Sequence, residues 1–214
     1  MASSVETSKP VKAGRAPIKQ ARSQLTFDRL VETGLRLSRD RELDSIPVAE
    51  IAKEAGYSVG AFYARFKTKD EYNRALVERY AAIRREDAER VFGEADDDQL
   101  IEVYFEAQVR RLFENRYFWR ASLYRSFQDT TFWEPFRAIV RLVGDRFIER
   151  AERRVARPLT EDEKTNIRFA IQVTNGAINN AMINRPGPVA IEDPEFIARV
   201  VRAFRLVSDW DALT

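Results

Sequence analysis

An all-α fold is what this 214-residue sequence predicts, on three observations. Apolar residues recur at the three-and-four spacing of a helix face along most of the chain. Helix caps punctuate that pattern: Thr68 with Glu71 and Thr160 with Glu163 read as capping boxes, and Asp193-Pro194 as an N-cap followed by proline at the first helical position. There is no strand alternation and no hairpin dipeptide, and only 8 Gly and 8 Pro, too few for a turn-rich sandwich or barrel. With 44 % hydrophobic and 33 % charged residues, the chain is long and apolar enough to bury a core.

The elements follow in order. Residues 1–24 hold Lys9, Lys12, Arg15, Lys19 and Arg22 against Glu6, with almost no large apolar residue, and read as a disordered basic arm. From Leu25 the pattern turns helical, with Phe27, Leu30, Val31, Gly34 and Leu35 on one face. Pro47 opens a short helix through Val48, Ile51, Ala52 and Ala55, and Gly56 ends it. Ser58 caps a third short helix running to about Phe66. The Thr68 cap launches a long helix to about Val91, and an acidic break follows over residues 93–98. Beyond it, helical segments are expected over 98–114, 117–129, 132–155, 161–184 and 194–208.

Two absences remove whole classes of chemistry. Without Cys there is no disulfide, thiolate metal site or cysteine nucleophile. Without His the commonest metal ligand and general base is missing, so neither a Ser-His-Asp triad nor a zinc hydrolase centre can form. Catalytic and metal residues are therefore assigned to none, and no cofactor is expected. No uncharged apolar run is long enough to span a membrane, and Met1 to Gln20 lacks the apolar core of a secretory signal, so a cytoplasmic chain is expected.

Residues 47–66 read PVAEIAKEAGYSVGAFYARF. Two short helices joined by a tight turn cross steeply. They need a small residue where they touch (Ala52), a turn residue that tolerates positive φ (Gly56), and apolar residues fixing the second helix on the first (Ile51, Ala55, Val59 and Phe62). This is the helix-turn-helix arrangement, whose second helix enters the DNA major groove. The same spacing also describes an ordinary corner inside a helical bundle.

Ile51-Ala52-x-x-Ala55-Gly56-Tyr57-Ser58-x-Gly60-x-Phe62-Tyr63-x-x-Phe66-x-Thr68-Lys69-Asp70 resembles the N-terminal signature of TetR/AcrR-type transcriptional regulators. The resemblance covers residues 25–80, which it identifies as a helix-turn-helix DNA-binding domain, leaving 81–214 as a helical ligand-binding and dimerisation domain. It implies a homodimeric, ligand-responsive repressor on a palindromic operator in double-stranded DNA. The chain departs from the family pattern at Ile46-Pro47, where the family often has Ser or Thr, and at Val59, where it often has a polar or basic residue. Both departures bear on the operator recognised.

The DNA-binding candidates are Ser58, Val59, Gly60, Ala61, Tyr63, Arg65, Lys67, Thr68 and Lys69. Ser58 presents a hydroxyl and helix N–H groups to a phosphate. Val59 and Ala61 suit a thymine methyl, and Gly60 a close approach of backbone. Arg65, Lys67 and Lys69 suit phosphates, as does the Tyr63 hydroxyl by resemblance, with Lys69 placed by the family at the start of the fourth helix. Charge agrees: residues 1–80 carry 15 Lys/Arg against 11 Asp/Glu, whereas 81–214 carry 21 against 23.

In the second domain, residues 104–136 hold 11 of the 24 aromatics. Most of them serve a core. As an apolar pocket they suggest a small apolar or aromatic effector, with Tyr104, Phe105, Trp119, Tyr124, Phe127 and Trp133 as wall and Gln108, Gln172, Asn175 and Asn179 as polar groups that orient it. The segments 161–184 and 194–208 carry apolar residues on more than one side, the pattern of a homodimer surface. Two other classes compete: a helical carboxylate-metal enzyme using Glu102 and Glu106, and a helical adaptor that binds no DNA.

Overall fold

The computed structural model describes residues 15–213, with side-chain burial from Gln20 onward. Among them are nine α-helices and three single turns of 3-10 helix, and no strand. None of these helices is long and apolar enough to cross a membrane.

Helix α1 (Arg15–Leu37) starts earlier than the apolar pattern at Leu25 suggested. The extra turns contain good helix formers, and their one proline, Pro17, falls in the first turn, where its missing N–H has no partner to lose. Arg15, Lys19 and Arg22 therefore sit on α1, whereas Lys9 and Lys12 of the predicted arm lie outside the described residues. A 3-10 turn (Leu43–Ser45) leads to α2 (Val48–Glu54), for which Pro47 is the N-cap residue rather than the first helical one. The short α3 (Val59–Tyr63) follows.

Helix α4 (Lys69–Glu94) begins at the Thr68 cap, whose Oγ1 accepts from Glu71 N at 3.1 Å. The return half of that box is shifted by one residue: the Glu71 carboxylate accepts from Lys67 N at 2.7 Å. α4 runs without interruption through position 80, where the sequence divided the domains, so one rigid helix belongs to both. Its N-terminal part, Tyr72 and Leu76, packs in the first domain against α1; Phe92 packs in the second.

The second domain comprises α5 (Leu100–Glu114), α6 (Arg116–Gln128), α7 (Glu134–Val155), α8 (Glu161–Asn184) and α9 (Pro194–Ser208). A 3-10 turn (Thr130–Trp133) joins α6 to α7, and another (Trp210–Ala212) follows α9. The Thr160 and Glu163 box is complete, and Asp193 caps α9 ahead of Pro194. α8 and α9 pack side by side, with α5 against α9 and α7 against both α4 and α8. Phe92, Tyr104, Phe105, Phe147, Phe204 and Trp210 form the aromatic centre, with ring centroids 4.7–5.9 Å apart. Burying such rings dominates the stabilisation of the domain.

Candidate nucleic-acid interface and buried cavity

The turn between α2 and α3 follows from Gly56. Its φ is +79°, a left-handed conformation that costs glycine nothing. Gly56 N donates to Lys53 O at 3.0 Å and Tyr57 N to Ala52 O at 2.8 Å, which closes the end of α2 with the paired bonds of a Schellman motif. Two residues later the Ser58 Oγ accepts from Ala61 N at 3.2 Å and starts α3.

α3 is held by one side chain. Phe62 is fully buried, with ring centroids 4.9 Å from Tyr72 and 5.4 Å from Phe66; Phe66 lies 5.1 Å from Phe27 and 5.0 Å from Tyr72. Tyr72 is itself fixed, its hydroxyl donating to Leu30 O at 2.8 Å. Burial pushes that hydroxyl's pKa well above the usual phenol range. With Phe62 turned inward, the opposite side of α3 faces solvent. Ser58 and Gly60 are exposed, Ala61 is half-buried, and Val59 and Tyr63 are 41 % and 51 % exposed. Large apolar and aromatic groups held outward on a rigid helix suit a ligand surface better than a core.

The basic residues divide. Lys67 is exposed and its ammonium is directed to no carboxylate among the described residues. Arg65 is half-buried, and Thr68 is occupied in capping α4. Lys69 differs from its expected place on the surface. Its ammonium donates to Ile46 O at 2.8 Å and Asp44 O at 3.1 Å, tying the start of α4 to the end of the 3-10 turn. Partial burial lowers its pKa, against the attraction of Asp44. One ammonium proton remains for a phosphate.

The second feature is a cavity of about 100 Å³ between α4, α5, α6, α7 and α8. Six of the ten predicted ligand residues meet there: Tyr104, Gln108, Trp119, Trp133, Asn175 and Asn179. Two hydrogen bonds order its polar side, Gln108 Nε2 to Asn175 Oδ1 at 2.8 Å and Trp119 Nε1 to Asn179 Oδ1 at 2.9 Å. The other four lie elsewhere. Phe105 packs on Phe204 in the core, and Gln172 is exposed on α8. Tyr124 and Phe127 are 65 % and 81 % exposed, because the α6 turn that carries Trp119 inward carries them outward. The sequence reading missed Arg84, Phe136, Ile139 and Val140, which complete the wall. Arg84 left a signal: it falls in the apolar row Leu76, Tyr80, Ala88, where a charge interrupts the pattern. Glu102, the first carboxylate of the competing metal-site reading, accepts from Arg205 at 2.9 Å.

Helix α6, which carries Trp119 into the cavity wall, is tied to the N-terminal domain. From α6, Arg125 donates to Asp44 Oδ1 at 2.6 Å and Asp70 Oδ1 at 3.0 Å. Asp129, at the end of α6, accepts from Arg74 of α4. Hydrogen bonds from Thr131, then from Arg74, hold the Asp129 carboxyl down at about 2.

Comparison with known proteins adds to this geometry. Residues 30–75 match the family model of bacterial regulatory proteins, tetR family. YwcC of Bacillus subtilis (strain 168), described as an uncharacterized HTH-type transcriptional regulator, is 38 % identical over 60 residues, 28 % of this chain and 27 % of that protein. A tetR-family transcriptional regulator from Streptomyces coelicolor superposes with a TM-score of 0.61 at 16 % identity, over 87 % of this chain and 88 % of the other. RolR in complex with resorcinol superposes with a TM-score of 0.55 at 20 % identity, over 89 % and 95 %. The sequence match lies on the helix-turn-helix segment, and the structural matches extend the same fold over the rest of the molecule. Over residues 30–75 the chain is similar to bacterial regulatory proteins of the tetR family, and its overall fold is similar to that of solved regulators of that family.

Proposed function

We propose that this protein is a homodimeric transcriptional repressor that holds a palindromic operator through α3 and leaves it when an aromatic effector enters the cavity. The observation that carries the reading is the exposed face of α3, with Ser58, Val59, Gly60 and Tyr63 outward while Phe62 anchors the helix from behind. Lys67 and Arg65 supply positive charge beside it, and Ala61 lines its edge. Phosphate contacts from Ser58, Tyr63, Lys67 and Lys69 position the domain, and the small apolar groups of Val59 and Ala61 meet base edges.

Dimerisation is supported by α8 and α9. Their outer side exposes Phe169, Ile183 and Leu206 at 53 %, 41 % and 70 %, with Gly176 and Ala177 as flat ground between. Two-fold pairing on this side presents two α3 helices to successive major grooves, about 34–36 Å apart. Effector response is supported by the cavity and its links through α6 to Asp44 and Asp70. RolR, which shares the fold, was solved with the single-ring compound resorcinol.

The test is a gel shift with a duplex enriched by selection on the purified protein. Two protomers per duplex and loss of binding with rising salt are expected. No retarded duplex at any salt overturns the reading. Recovery of salt-sensitive heparin binding without duplex binding would favour a helical adaptor.

A further inference from the structure

Arg84 is a buried guanidinium without an anionic partner. It is 9 % exposed and lines the cavity from α4. Among the described residues no Asp or Glu lies within ion-pair distance of it. Asp87, one turn further on, borders the same region but is taken by Arg111 at 2.6 Å. The two phenols nearby, Tyr80 and Tyr104, are kept protonated by burial, Tyr104 with its pKa pushed up to about 12, so neither supplies a negative charge. What Arg84 does have is the neutral Tyr80 hydroxyl nearby and the face of Trp119, with its Cζ 5.8 Å from the ring centroid. A guanidinium cannot give up its proton, so a largely buried one with no carboxylate beside it favours an anion that arrives to pair with it.

A second orphan lies in the same wall. Gln108 is 7 % exposed, and its Oε1 is buried with no hydrogen-bond donor while its Nε2 is engaged by Asn175. The remaining wall, Trp119, Trp133, Phe136 and Ile139, is apolar. The volume of about 100 Å³ is of the same order as the ~150 Å³ cavity known to accept benzene.

We propose that the effector is a single-ring aromatic carboxylate, its carboxylate seated on Arg84 and its ring laid against the packed cluster of Trp119, Trp133 and Phe136 that lines the cavity. A ring hydroxyl donating to Gln108 Oε1 completes the match. This inference rests on the regulator reading above and narrows its effector from apolar to anionic. Planar, forked guanidinium donors pair with a carboxylate through two parallel bonds, which a neutral amide cannot reproduce.

The test is a fluorescence titration of the full-length protein, in which Trp119 and Trp133 report cavity occupancy. The probes are benzoate and the three hydroxybenzoates, each against its neutral amide. At least one acid is expected to quench saturably and to bind at least tenfold more tightly than its amide. Arg84→Gln is expected to bring acid and amide within twofold of one another, and Arg84→Lys to keep part of the preference. A melting curve shows whether each variant folds, and wild-type discrimination stands by itself should Arg84→Gln not fold. Amides binding as well as acids, no acid binding at all, or an acid preference that survives in folded Arg84→Gln each overturn the proposal. A gel shift on the same preparation separates the two levels: duplex binding without acid binding leaves the regulator reading intact, and absence of duplex binding sinks that reading itself.

Discussion

Arg125 on α6 reaches Asp44 in the 3-10 turn ahead of the helix-turn-helix, Nη2 to Oδ1 at 2.6 Å, and its other arm holds Asp70 on the first turn of α4 at 3.0 Å. One residue of the cavity-bearing domain thus grips both ends of the segment that displays α3. The two carboxylates are more than half exposed, so the stabilisation is small, about 0.2–1 kcal/mol. The value of the contact is positional. Arg125→Ala is expected to shift the melting temperature by no more than about 4 °C while weakening the effect of an effector on duplex binding. Gel shifts with and without effector measure this; an unchanged effector response would remove Arg125 from the coupling.

Gly34 exists to admit Tyr72. A Cβ at position 34 would overlap the Tyr72 hydroxyl and lie 2.9 Å from Cζ and 3.0 Å from Leu76 Cδ2. Gly34→Ala is therefore expected to destabilise by about 1–3 kcal/mol in urea melts, although alanine is the better helix former. Adding Tyr72→Phe removes the nearest clashing atom, so the double variant should recover part of the loss. Strict additivity of the two changes would reject the contact.

The two sides of α3 should separate stability from binding. Phe62→Ala is expected to cost about 3–5 kcal/mol and to abolish duplex binding by unfolding the domain. Tyr63→Phe should leave the melting temperature nearly unchanged and weaken duplex binding about tenfold, as for the loss of a hydrogen bond to a charged phosphate. A Tyr63→Phe protein that binds normally would exclude its hydroxyl from the interface.

Lys67 and Lys69 should part company as well. Lys67→Ala should lower the salt slope of binding by about 1 without affecting folding. Lys69→Ala should lower the melting temperature, because the carbonyls of Asp44 and Ile46 lose their donor. Equal behaviour of the two variants in both assays would argue against the division.

Acid should loosen the molecule at defined places. Glu163 is held down at about 2 by Arg157, then by the Thr160 backbone N–H, and Asp129 at about 2 by Thr131 and Arg74. A carboxylate whose pKa is lowered on folding stabilises above its unfolded value, here 4.5 and 3.8, and loses that contribution as pH falls towards 2. Urea midpoints should therefore fall between about pH 5 and 2, and more shallowly in Glu163→Gln. A variant with the wild-type acid slope would assign the loss elsewhere.

The sequence was readable where local chemistry decides structure. Caps at Ser58, Thr68, Thr160 and Asp193 set helix starts, and Gly56 set the turn, because their partners lie within three residues. Of the two residues of α3 expected to pack it on α2, only Phe62 does so; Val59 is 41 % exposed, because one buried side chain suffices to seat so short a helix. What depended on distant partners did not show. Lys69 meets carbonyls more than twenty positions earlier, and Tyr124 and Phe127 stay outside because of how α6 is rotated, which no spacing encodes. Arg84 was visible as a charge in an apolar row, but its solitude required the fold.

The uninterrupted α4 makes the molecule a lever. About fifteen residues separate Arg84 from the foot of the helix at Lys69, some ~22 Å at 1.5 Å per residue. A tilt of about 5° at the cavity end displaces that foot by about 2 Å, the amplitude of helix shifts in known switching proteins. A helix broken near position 80 would dissipate such a swing in the hinge, whereas an unbroken one would carry it to the helix-turn-helix end.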